Sequence, residues 1–373
     1  MNGSAGVAFR TCPLCEAGCG LEVTLRGSTV TRIRGDRDDV FSRGYLCPKG
    51  SSLKALHEDT DRLRTPLIRR AGRHEVATWE EALAFVERRL GDVIATHGRP
   101  ALAAYVGNPN VHNLAGQLYL RPLLLALGTR NVFSASTVDQ RPKEIAAGLM
   151  FGTPLSVPVP DVDRTDHLLV LGANPFVSNG SLATAPDWPG RLEALRARGG
   201  RLVVVDPRRS RTAEAADEHV AIRPGTDAHL LMGMVHVLFA EGLADAGPVG
   251  RHLAGVEVVE RLARPFTPEM VGRVAGIDAG TVARLARDLA AASRAAVYGR
   301  IGTTTVEFGT LTSWLVDVLN VLTGNLDRPG GAMFATAAAG AANTRGRPGT
   351  GRGVTLGRWT SRVRGLPETF GEL

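Results

Sequence analysis

Lysine is nearly absent from this sequence: of 44 basic residues only Lys49, Lys54 and Lys143 are lysines, and the others are arginine. A net charge of +7 would suit nucleic acid, but the arginines are spread along the chain. Runs such as Arg196-Ala197-Arg198 read as a solvated helix face rather than a phosphate track. Aromatic residues make up only 5%, which leaves no stacking platform for single strands. Nucleic acid is therefore not an expected partner. Long apolar runs are missing too. The most apolar segment, Leu311 to Leu322, is interrupted by Asp317 and Asn320 and is far too short to span a bilayer. Met1 to Arg10 has neither the apolar core of a signal peptide nor a twin arginine. The expectation is a soluble, cytoplasmic chain. No G-x-G-x-x-G occurs after the predicted strands, which disfavours ordinary NAD binding.

Cysteine is scarce as well, and its placement is informative. The four cysteines all fall in one pattern, Cys12-x2-Cys15-x3-Cys19 and then Cys47-Pro48-Lys49-Gly50. Four thiolates suit either a structural zinc or an iron-sulphur cluster. Zinc ribbons present two tight pairs. Three close cysteines with a distant fourth followed by proline favour a 4Fe-4S cluster over zinc or a disulfide pair. Gly18 and Gly20 allow the backbone to turn tightly beneath the sulphurs. Lys49, two residues past the last cysteine, reads either as a surface lysine or as a cationic bridge to a second redox centre.

The alternation of Leu21, Val23 and Leu25 predicts a strand to Arg26, paired across Gly27-Ser28 with Thr29 to Arg34. Thr78-Trp79-Glu80-Glu81 is a capping box that opens an amphipathic helix. A strand at Ala101 to Val106, a polar turn at Gly107-Asn108-Pro109-Asn110 and a helix from Leu114 to Leu127 indicate an α/β layer. The clearest such unit starts at His167. Leu168 to Leu171 ends in Gly172-Ala173-Asn174-Pro175, and Leu202 to Val205 ends in Asp206-Pro207-Arg208. The extended piece His219 to Ile222 ends in Arg223-Pro224-Gly225-Thr226-Asp227. Each strand thus delivers polar or glycine-rich residues at its carboxyl end, where open parallel sheets take their ligands. An acidic residue there suits a ribose hydroxyl or purine N–H, and a glycine turn opening a helix suits a phosphate. Helix Asp278 to Ala291, strand Ala295 to Tyr298, loop Gly299 to Gly309 and helix Leu311 to Leu322 extend the sheet. Ala335 to Gly353, rich in alanine, glycine and arginine, reads as a loop without a partner.

In this order the motifs resemble the molybdopterin oxidoreductases that carry two guanine-dinucleotide pterins, such as formate dehydrogenases and nitrate reductases. The resemblance rests on the four cysteines with Cys-Pro-Lys-Gly, then Trp79-Glu80-Glu81-Ala82, Gly172-Ala173-Asn174-Pro175, Asp206-Pro207-Arg208, Arg223-Pro224-Gly225-Thr226-Asp227 and Thr323-Gly324-Asn325. It implies an α/β fold: a small β-rich 4Fe-4S domain at 1–62, a partial α/β domain at 63–135 plus 332–373, and a Rossmann-like guanine-dinucleotide domain at 136–331. It also implies that Cys12, Cys15, Cys19 and Cys47 hold the cluster and that Lys49 relays electrons to a pterin. Asn174, Asp206, Arg208, Gly225, Thr226 and Asp227 would hold the nucleotide, with Gly299 and Gly302 near pterin and substrate. A redox partner protein, ferredoxin-like or another iron-sulphur or flavin subunit, is implied in turn.

Two departures from the family stand out. Many members place cysteine or selenocysteine at the molybdenum ligand position, within the segment matching Asn131 to Gly148, and here that segment has none. Counting from Asn131 puts Asp139 at the position. Ser136 and no side-chain ligand at all are the alternatives, and Arg141 and Lys143 read either as groups facing an anionic substrate or as surface residues. The chain is also about half the usual family length, which suggests a fragment lacking the C-terminal domain that closes over the pterins. The rival reading is a non-catalytic iron-sulphur electron-transfer subunit of the same fold.

Overall fold

In the computed structural model, residues 5–107, 112–335, 355–360 and 367–369 are described. The predicted turn at 108–110 and most of the predicted loop at 335–353 lie outside them. The chain divides into two compact units, Met1–Ser134 and Ala135–Leu373.

The first unit opens with a three-stranded antiparallel sheet of β1 (Ala5–Thr11), β2 (Gly20–Arg26) and β3 (Thr29–Gly35), in the order β1-β2-β3. The β2–β3 hairpin is the expected one, and β1 is an addition to it. The connection between β1 and β2 carries three cysteines. It closes on itself because the Cys12 amide donates to the Cys19 carbonyl at 2.9 Å and the Gly18 amide to that of Cys15 at 3.2 Å. Gly18 has φ of +52°, a left-handed conformation natural to glycine. The return segment is tied to this loop where the Gly20 amide donates to Ser42 Oγ at 3.1 Å. A β-carbon on Gly20 would sit 2.5 Å from that of Asp39, so only glycine fits there. The fourth cysteine then caps a short Pro48–Ser51 helix, with a second helix at Leu53–Glu58.

Residues 63–134 carry the β4 (Leu67–Arg70) and β5 (Arg73–Val76) hairpin, the Trp79–His97 helix, a parallel pair of β6 (Ala104–Val106) and β7 (Val132–Ser134), and the Leu114–Leu127 helix. The predicted capping box forms: the Glu81 amide donates to Thr78 Oγ1 and the Thr78 amide to the Glu81 carboxylate. Neither long helix buries a single residue. Leu83, Leu114, Leu118 and Tyr119 are all more than half exposed.

The second unit is built on a parallel sheet in the order β11-β10-β9-β12, formed by β9 (His167–Leu171), β10 (Arg201–Val205), β11 (Glu218–Val220) and β12 (Ala295–Gly299), beside a small ribbon of β8 (Pro158–Pro160) and β13 (Ala332–Phe334). The near-continuous apolar strands follow from burial on both faces. Leu169, Leu171, Val203, Val205 and Val297 join one core, under the Asp227–Ala240, Ala279–Ala291 and Gly309–Leu322 helices. The alternate residues Leu168, Val170, Leu202, Val204 and Tyr298 join the other, against the Trp188–Ala197 helix. β12 ends the sheet, and its outer edge is satisfied by side chains. Asn320 accepts from the Val297 amide at 2.9 Å and donates to the Val297 carbonyl at 3.0 Å, and Asn325 accepts from the Ala295 amide at 3.0 Å. Asn320, one of the two polar residues that interrupt this apolar helix, is therefore a strand partner.

Candidate functional site

The four thiols meet in a small core. Cys12, Cys19 and Cys47 are buried and Cys15 half-buried; Cys12, Cys15 and Cys19 pack with Ala17, Leu21, Val23, Ile33 and Leu46, and Cys47 interacts electrostatically with Cys12 and Cys19. Burial pushes the Cys19 thiol up to about 11, and the three other cysteines add to the shift by charge repulsion. Burial raises Cys12 as well, partly offset by the Leu14 backbone and by the charge of Lys49. Cys19 thus feels all three companions, yet among the described residues no three ligating side chains converge closely enough for a single ion. Four cysteines close enough to interact electrostatically fit a multi-iron cluster, whose positive charge would draw off their protons. Lys49, exposed in the Pro48–Ser51 helix, is the cation beside them.

At the carboxyl edge of the large sheet, the predicted nucleotide residues gather from three successive strands. Beyond β9, Asn174 is held by Thr212, whose hydroxyl donates to Asn174 Oδ1 at 2.7 Å. Beyond β10, Asp206 accepts the Arg208 amide at 2.8 Å and its carbonyl accepts from His219 Nε2 at 2.8 Å, while the Arg208 side chain is exposed. Beyond β11, Gly225 turns with φ of +81° and open space where a side chain would be. Thr226 then donates to the Arg223 carbonyl at 2.7 Å, and Asp227 starts a helix of 14 residues. Asp227 is 5% exposed, and its carboxyl is pushed up to about 6 by burial, with the nearby Asp206 adding to the shift. A buried carboxylate pushed above its ordinary pKa by desolvation suits a ligand offering N–H groups, and an open glycine turn at a helix start suits a phosphate. The residues fit a nucleotide.

The fourth strand end is tighter. Gly302 donates from its amide to the Gly172 carbonyl at 2.9 Å, and a β-carbon on either glycine would lie under 3 Å from the other's backbone. Between Gly299 and Gly302 stands Arg300, a residue that sequence reasoning passed over. Its Nη1 pairs with Asp139 Oδ1 and donates to the Asp139 carbonyl at 2.9 Å. Thr304 Oγ1 donates to the same carbonyl at 2.7 Å. Ser136 opens the short helix that Asp139 ends. Arg141 pairs with Glu144, both nearly buried. Lys143 is 1% exposed, so burial lowers its pKa against the pull of Asp317, with Arg300 lowering it further. Its ammonium lies 5.7 Å from the Tyr298 ring centroid. Asp317 is pushed up to about 6 by burial, with Lys143 opposing. The structure therefore brings Asp139, Gly299 and Gly302 together through Arg300, and pairs Arg141 inward. The only signal for Arg300 in the sequence is an arginine at a strand's carboxyl end between two singled-out glycines.

A four-thiol core, followed by an open parallel sheet whose carboxyl edge collects carboxylates and glycine turns, defines an iron-sulphur protein with a nucleotide-type cofactor site. The model for molybdopterin oxidoreductase matches residues 62–363 and that for the molybdopterin oxidoreductase Fe4S4 domain matches residues 10–57. The chain belongs to the molybdopterin oxidoreductase family, whose two domains take a 4Fe-4S cluster and molybdopterin with molybdenum or tungsten. Its curated relatives include formate dehydrogenase H of Escherichia coli (strain K12), 30% identical over 328 residues, covering 85% of this chain and 44% of that protein. Another is a nitrate reductase of Symbiobacterium thermophilum, 27% identical, covering 87% and 44%. Among solved structures, acetylene hydratase from Pelobacter acetylenicus shares the fold with a TM-score of 0.73 at 24% identity, over 85% of this chain and 43% of that one. The chain spans less than half the length of the curated relatives it matches. Among the described residues no helix is long and apolar enough to cross a membrane.

Proposed function

We propose that this protein is a molybdenum- or tungsten-dependent oxidoreductase in which electrons pass between substrate and the 4Fe-4S cluster, then to a redox partner. The observation that carries this reading is a cluster of four interacting cysteines in the same chain as a sheet edge that carries Asn174, Asp206, Asp227 and the open Gly225 turn. When bound, the pterin-held metal supplies the two-electron or oxygen-atom chemistry. The chain's residues bind and orient. Asp227 and Asp206 accept from guanine or ribose donors, Asn174 and the exposed Arg208 flank the dinucleotide, and the Gly225-Thr226 turn meets a phosphate. Gly299 and Gly302 would lie near the pterin and substrate, each leaving room for a neighbouring part of the chain, Gly302 for the Gly172 backbone and Gly299 for Thr303 and Val316. Lys49 is the cation through which the cluster and a pterin are coupled. Asp139 is the first choice for a protein ligand to the metal, with Ser136 and no protein ligand behind it. Arg141 would meet an anionic substrate only by giving up part of its pairing with Glu144.

In this reading residues 1–62 form the cluster domain, 63–135 with 332–373 a partial α/β domain, and 136–331 the dinucleotide domain. The protein acts in the cytoplasm, with a ferredoxin-like, iron-sulphur or flavin subunit as electron partner. Elemental analysis of the anaerobically purified protein is expected to give about four irons per chain together with molybdenum or tungsten. Iron with neither heavier metal, in repeated preparations, would point instead to a non-catalytic electron-transfer subunit. Asp227→Ala is expected to lower pterin content and leave iron unchanged.

A further inference from the structure

Tyr298 and Arg300 stand two apart at the end of β12, so their side chains leave the same face of the sheet. Both reach the same loop. The Tyr298 hydroxyl donates to the Gly180 carbonyl at 2.8 Å and accepts from the Ala183 amide at 3.1 Å, and Arg300 Nε donates to Ser181 Oγ at 2.9 Å. That loop is strained: Asn179, Gly180 and Ser181 have successive φ values of +56°, +93° and +58°. Left-handed backbone at non-glycine residues persists only where the surroundings over-determine it. Arg300 spans from this loop to Asp139, holding one carboxylate oxygen and the main-chain carbonyl at once, while Thr304 takes the same carbonyl. The guanidinium is 7% exposed but the Asp139 side chain is 33% exposed. Asp139 Oδ2 takes part in no hydrogen bond among the described residues, so one oxygen is fixed from within and the other faces outward.

We propose that Arg300 is a positioning residue that presents Asp139 to the metal through a single oxygen, Oδ2, using Ser181 as its second anchor. The inference rests on the ligand role proposed for Asp139. A planar guanidinium is needed because three acceptors in different directions, Asp139 Oδ1, the Asp139 carbonyl and Ser181 Oγ, are served by one rigid group, which an ammonium cannot reproduce. Losing Arg300 would free the carboxylate to rotate, so that it binds through both oxygens or swings away. In either case the surroundings of the metal change while the metal remains held by its pterins.

The test uses the anaerobically purified protein with R300Q, R300K, S181A and D139N. Molybdenum and iron contents are measured beside the Mo(V) paramagnetic resonance spectrum and the X-ray absorption count of oxygen neighbours. The expected result for R300Q is wild-type iron and molybdenum retained, with shifted g-values and an altered oxygen count. R300K and S181A should give smaller shifts in the same direction. If D139N shifts the spectrum and neither R300Q nor R300K does, the positioning role is overturned and the ligand role survives. If none of the four variants moves either signal, Asp139 is no ligand and the inference falls with it. Should R300Q not fold, R300K and S181A decide, since both keep the buried volume largely filled. Failure of the broader functional reading is separately visible as unsubstituted protein without molybdenum or tungsten.

Discussion

At neutral pH the Asp227 carboxylate is ionised in a place that resists the charge. Its pKa of about 6 lies above the ordinary 3.8 because of burial and the neighbouring Asp206. A carboxyl raised in this way binds its proton more tightly in the fold than in the unfolded chain. Its favourable contribution is therefore complete below about pH 4 and is lost as pH rises through about 6, a swing on the order of 2–3 kcal/mol. In protein freed of nucleotide, Asp227→Asn is expected to raise the melting temperature at pH 7 by a few degrees and to change it little at pH 4, read by calorimetry at both values. The same substitution should weaken guanine-dinucleotide retention, which separates a functional carboxylate from a merely uncomfortable one. Lys49 allows a second test at this scale. Lys49→Gln is expected to leave iron and molybdenum unchanged and to slow substrate-driven reduction of the cluster by about tenfold, followed by stopped-flow absorbance. An unchanged rate would make Lys49 a surface lysine.

The elements that were legible in the sequence are those whose pattern is local. Leu168 to Leu171 and Leu202 to Val205 read as strands because both faces are buried, and the capping box at Thr78 declares its helix. The three strand-end motifs could be placed on one edge because parallel βα units put every carboxyl end on the same side. What was not legible depends on distant partners. The Asp139–Arg300 pair joins residues 161 apart, and no local spacing announces it. The loop after β12 contains a helical turn, Ile301–Thr304, in a threonine-rich stretch of low helix propensity. It is held by hydroxyl bonds, such as Thr305 Oγ1 to the Ile301 carbonyl at 2.7 Å. Asn320 read as a flaw in an apolar helix, whereas it completes the hydrogen bonding of the edge strand that carries Gly299. Asn320→Leu is accordingly expected to cost about 1–3 kcal/mol, measured by denaturant unfolding, because two main-chain groups of Val297 lose their buried partner. A neutral result would mean that β12 does not depend on this pairing.

For the molecule as a whole, stability is unevenly shared. The second unit has a sheet covered on both faces by its own helices, whereas the helices of residues 63–134 bury nothing. Excised residues 135–335 are expected to melt in one cooperative transition, and excised residues 63–134 to show none, by circular dichroism. A cooperative melt of the smaller piece would show that its exposed leucines find one another without help. The scarcity of lysine bears on how such changes can be followed. Lys49 and Lys54 both lie in the cluster domain, Lys49 exposed and Lys54 partly so, and Lys143 is sealed beneath Tyr298 and Asp317. An amine-acylating reagent analysed by peptide mass spectrometry would therefore tag the iron-sulphur end of the native protein and spare position 143. Delayed tagging at 143 becomes a built-in clock for the opening of the sheet domain, readable in a mixture and without any engineered label.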